Sequence, residues 1–166
     1  MAHLLFGGAF LAWTVFVSVS DICFRRISNP LVLAGLIGGL AAVVFSANPF
    51  GTACIQALIG MLVGLVALLP FFLARAMGAA DVKIFAVLGV WCGARALLWF
   101  WIVASVAAGI HAIVLMVLSR TSLGTLAGRV GPTLKLGGYR ATPYAACLVM
   151  PSALWLVYQL ATEVAQ

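Results

Sequence analysis

The chain has 166 residues, 66% of them hydrophobic and only 7% charged, with a formal net charge of +6. A soluble domain carries about 25% charged residues, so this chain cannot keep a solvated globular surface. It reads as an all-α polytopic membrane protein, one transmembrane unit over residues 1–166, with room for about six spans and no separate soluble domain.

The first apolar run, Leu4 to Val19, ends on Ser18, Ser20 and Asp21, with Arg25 and Arg26 following. No basic region precedes it, so it reads as a retained helix rather than a cleaved signal. Ser28-Asn29-Pro30 opens a second helix, because Asn29 before proline avoids helical dihedrals and Pro30 suits a first helical position. This helix runs to about Phe45, and Asn48-Pro49-Phe50-Gly51 is a turn. The third run is Thr52 to Ala74, and Pro70 should kink it or loosen its last turn.

The fourth segment, from Val82 to Leu118, is too long for one span. Cys92-Gly93-Ala94-Arg95 is the plausible break, giving a short fourth helix and a longer fifth. Arg120 to Arg140 is a loop rich in glycine and basic residues. The sixth run is Pro143 to Leu160, interrupted by Pro151.

Basic residues set the orientation. With the N-terminus outside, Arg25, Arg26, Arg75, Lys83, Arg120, Arg129, Lys135 and Arg140 fall in cytoplasmic loops, and Arg95 alone lies outside. The positive charge is thus explained by topology, and no basic face of the kind nucleic acid needs is present.

Other features read as packing. Gly35, Gly38, Gly39, Gly60 and Gly64 form small-residue faces that pack helices. Trp91, Trp99 and Trp101 flank the outer turn and read as an interfacial aromatic belt. His111 in the fifth helix reads as a helix–helix hydrogen bond, and Glu163 as solvated. The four cysteines form no C-x-x-C pair, so no metal site has support, and they read as small hydrophobes.

The acids carry more information. There are three: Asp21, Asp81 and Glu163. Asp21 and Asp81 both fall at the cytoplasmic boundary in an orientation assigned from Lys and Arg alone. A carboxylate in hydrocarbon is costly. Two held close share a proton, so that one can activate water while the other protonates a carbonyl oxygen or leaving amide. The residues alone also allow a plainer account. Asp21 could cap a helix or pair with Arg25 or Arg26, and Asp81 could cap the fourth helix or pair with Lys83 or Arg75.

The stretch Gly78-Ala79-Ala80-Asp81-Val82-Lys83 resembles the G-x-G-D-x-K signature of membrane aspartic proteases. Asp21, then Arg25-Arg26-Ile27-Ser28-Asn29-Pro30, resembles the first-aspartate segment of the type IV prepilin peptidases. Pro143-Tyr144 is similar to a Pro-aromatic element there. The likeness spans nearly the whole chain and leans toward the short Flp/Tad-type enzymes, without the methyltransferase domain of larger members. It implies catalytic Asp21 and Asp81 and no cofactor. The implied substrate is a prepilin with a basic leader and an apolar helix, cut at the cytoplasmic face of a bacterial inner membrane, with pilus assembly components as possible partners.

Gly78 and Lys83 are the substrate-side candidates, Lys83 as receptor for the acid that family substrates carry after the cut. Two positions depart from the pattern: Ala80 and Ala145 stand where glycine is common. Two other functions compete, a non-catalytic assembly subunit and a small proton-coupled transporter.

Overall fold

The structure is a computed structural model that describes residues 2–119 and 144–164. The described chain is helical throughout, with no strand. α1 spans Ala2–Val19 and runs on into a π-helical turn, Ser20–Phe24. α2 is Asn29–Val44 and α3 is Cys54–Leu73. The run Ala79–Ser119 is broken at Gly93, whose φ of 73° and ψ of 168° are non-helical. It therefore forms two rods, α4 (79–92) and α5 (94–119). α6 is Tyr144–Val164. Residues 120–143 lie outside the described residues, and with them the loop expected from Arg120 to Arg140 and Pro143.

Among the described residues, four helical stretches are long and apolar enough to cross a membrane: Ala2–Phe24, Cys54–Leu73, Ala79–Val114 (α4 with most of α5) and Tyr144–Thr162; Asn29–Val44 is a shorter apolar helix. Outward faces carry exposed Leu, Ile, Val and Phe along the helices. Helices apolar on all sides are what lipid requires.

Local chemistry explains the boundaries. Ser28 is extended, and Pro30 follows in the first turn of α2. Asn48 makes the turn after α2 by accepting the Phe50 N–H at 2.8 Å, while the Gly51 N–H reaches the Asn48 carbonyl at 3.0 Å. α3 ends one turn beyond Pro70, where the Ala74 N–H bonds the Pro70 carbonyl at 2.9 Å.

The break at Gly93 is built into the packing. It frees the Trp91 carbonyl from its usual helical partner. Asn48 Nδ2 at 3.1 Å and Thr52 Oγ1 at 2.8 Å donate to that carbonyl instead. Both side chains are buried, so each donor is satisfied.

Glycines let the helices approach closely. A Cβ on Gly60 of α3 would run into the Gly89 carbonyl of α4, and one on Gly64 would come within 2.7 Å of the Phe85 carbonyl oxygen. Backbones this close are the usual small-residue route to helix association in lipid. On α2, Gly35 lies under the Trp13 indole and Gly39 under Trp91.

Two expectations need correction. Trp91 is not part of an interfacial belt. It is 1% exposed, donates its indole N–H to the Gly35 carbonyl at 2.9 Å, and packs on Phe10 with ring centroids 4.9 Å apart. The glycines of α2 leave room for it in the core, whereas Trp99 is exposed. Nor does Pro151 interrupt α6, which passes through it unbroken. Membrane helices tolerate proline, and α6 continues on both sides of this one.

Candidate active site: two carboxyls under the first turn of α6

Phe10 of α1 and Trp91 of α4 touch in the core, which fixes the relative height of these two antiparallel helices. Asp21 lies eleven residues from Phe10, and Asp81 ten residues back from Trp91. At 1.5 Å per residue both acids sit about 15 Å from the aromatic contact, in the same direction. Their carboxyls come close enough for the charge on Asp21 to act on Asp81.

Each carboxyl is held by backbone N–H groups. Asp21 sits in the π turn, a feature frequent at functional sites. The turn closes with Arg25 in the left-handed conformation, its N–H on the Asp21 carbonyl at 3.1 Å. Asp21 Oδ2 accepts the Ala146 N–H at 2.9 Å, and the Ala145 N–H lies beside the same carboxyl. These are first-turn amides of α6, which have no partner within their own helix. The Arg25 side chain lies within electrostatic range of the same carboxyl.

Asp81 is the third residue of α4. Its Oδ2 reaches back to the Gly78 N–H at 3.2 Å, which is half of a capping box. Both aspartates therefore act as helix caps, Asp81 on its own helix and Asp21 on another.

The remaining sequence candidates fall around this pair. Gly78 has an ordinary negative φ, and so does Ala80, which lies in the first turn of α4. Alanine is thus compatible with the backbone at the position where the signature carries glycine. Ala145 is fully buried and contributes an amide rather than a flexible joint. Lys83 Nζ donates to Asn29 Oδ1 at 2.9 Å, tying the start of α4 to the start of α2. Tyr144, the first residue of α6, has its hydroxyl 3.2 Å from Ser105 Oγ of α5.

An apolar groove of about 970 Å³ runs between α5 and α6, lined by Phe100, Val103, Ala107, Met150 and Leu154 among others. Ile22 and Ala146 also line it, so it opens beside Asp21. His111 faces this groove and makes no helix–helix hydrogen bond among the described residues. No group of three His, Cys, Asp or Glu among the described residues could hold a metal ion.

Sequence reasoning missed the π turn and the amides of Ala145 and Ala146. An i→i+5 turn has no compositional mark, and a backbone donor 125 residues away leaves none either.

The fold and this pair of caps define a membrane-embedded helical protein with two carboxyls at one end of its bundle. Residues 8–113 match the model of the type IV leader peptidase family. The chain belongs to that family and is a peptidase by membership. No curated protein and no solved structure matches it.

Proposed function

We propose that the chain is an aspartic endopeptidase that removes the leader of a type IV prepilin, of Flp/Tad type, at the cytoplasmic face of a bacterial inner membrane. The observation that carries this reading is the approach of Asp21 and Asp81 in a member of a leader-peptidase family. One carboxylate takes a proton from water as its oxygen adds to the scissile carbonyl carbon. The other, protonated, gives its proton to the carbonyl oxygen. The tetrahedral intermediate then collapses: the carboxyl that took the water proton gives it to the amide nitrogen, the other carboxylate takes back a hydroxyl proton, and the C–N bond breaks.

The surroundings support this reading. The groove beside Asp21 lets an apolar helix lie against α5 and α6 while its polar junction reaches the carboxyls. Lys83 stands two residues from Asp81, where it can meet an acid just beyond the cut. Arg25, Arg26, Arg75 and Lys83 gather at the aspartate end of the bundle, in keeping with an N-out orientation.

The test is co-expression with a small pilin precursor whose basic leader ends in glycine ahead of an apolar helix. Wild-type protein should shorten the precursor, while Asp21→Asn and Asp81→Asn should each abolish cleavage although the protein still accumulates. Cleavage that survives either change would refute the assignment.

A further inference from the structure

Tyr144 stands where three parts of the bundle meet. Its hydroxyl shares a hydrogen bond with Ser105 of α5 at 3.2 Å. Trp101, one turn back on α5, lies beside the same phenol. The Trp101 ring packs against Phe71 of α3 with centroids 6.4 Å apart. Two residues along the chain is Ala146, whose amide holds Asp21 at 2.9 Å. The phenol also lies within electrostatic range of Asp81.

We propose that Tyr144 is a positioning residue: by pegging the first turn of α6 to Ser105, it sets where the Ala146 amide holds the Asp21 carboxyl relative to Asp81. The inference rests on the peptidase reading for its catalytic consequence, but its structural core stands apart from that reading. The family match ends at residue 113, so nothing in it reaches this helix. A phenol suits the task. Its ring has few rotamers, and its hydroxyl reaches across to the Ser105 hydroxyl, where either oxygen can donate. Displacement of a reacting group by about 1 Å can cost on the order of 100-fold in rate.

The test uses the full-length protein in lipid nanodiscs, with the pilin precursor described above as substrate. Tyr144→Phe should lower kcat by about 10- to 100-fold and leave KM unchanged. Ser105→Ala should fall in the same direction, and Ser105→Thr, which restores a hydroxyl, should recover most of the rate. Hydrogen exchange over residues 144–150 supplies a readout without substrate. In wild-type protein the first-turn amides should exchange about tenfold or more slowly than in Asp21→Ala, and Tyr144→Phe should move them toward the Asp21→Ala rate.

A Tyr144→Phe protein with wild-type kcat would overturn the proposal. So would a defect confined to KM, or unchanged exchange. Should Tyr144→Phe fail to accumulate, Ser105→Ala tests the same bond from its other end. If wild-type protein never cuts the precursor, the peptidase reading fails, and exchange alone then decides whether Tyr144 sets the Asp21 contact.

Discussion

Asp21 and Ala146 are joined by a 2.9 Å hydrogen bond across 125 residues of sequence. The end of α1 is thereby the cap of α6. A carboxylate at a helix N-terminus satisfies amides that would otherwise be bare and meets the positive end of the helix dipole. Structural capping and the proposed chemistry thus fall on the same side chain.

The two roles of Asp21 can be separated. Asp21→Asn keeps an acceptor for the amides, so the protein should retain its thermal stability in detergent while cleavage stops. Asp21→Ala removes the acceptor as well, and should also lose about 1 kcal/mol, the usual worth of a cap. Equal melting temperatures for the two variants would contradict the capping role.

Gly60 and Gly89 face each other with no room for a Cβ. Gly60→Ala should destabilise the bundle by about 1–3 kcal/mol and lower its accumulation in membranes. Gly8→Ala and Gly109→Ala, where a Cβ would meet nothing within 4 Å, are the controls. Parallel expression and thermal unfolding of the three variants measures this.

Ala80→Gly restores the signature's glycine at a position whose φ is already negative. It should bring no gain in turnover and cost up to about 1 kcal/mol through backbone entropy. A marked rise in cleavage rate would mean that the site needs a conformation this backbone does not adopt.

Lys83 is bonded to Asn29, so its charge and its hydrogen bond can be dissected. Lys83→Gln keeps a donor for Asn29 and removes the charge. If Lys83 meets an acid on the substrate, KM should rise with kcat little changed. An unchanged KM would leave Lys83 as a tie between α2 and α4.

Much of this architecture was legible in the residues. Asp21 and Asp81 stand out because an apolar chain has little cause to keep a carboxyl. Gly93 announced its break because the run around it was too long for one span, and Gly60 and Gly64 showed the spacing of a helix contact. Trp91 was misread because a tryptophan near a helix end suits the headgroup region as well as a core; Gly35 and Gly39, more than fifty residues earlier, decide between them. Pro151 was misread because proline is judged by its missing donor, and a membrane helix tolerates that loss. Tyr144 was noticed for its likeness to a family element, yet its partner Ser105 lies on a helix whose register the sequence leaves open.

The bond from Ala146 to Asp21 has a consequence for biogenesis. Synthesis proceeds from the N-terminus, so Asp21 enters the membrane long before the amides that will hold it have been translated. Until α6 is threaded into place, the acids lack their final arrangement. On the proposed mechanism a newly made chain would be dormant until a helix made more than a hundred residues later locks in.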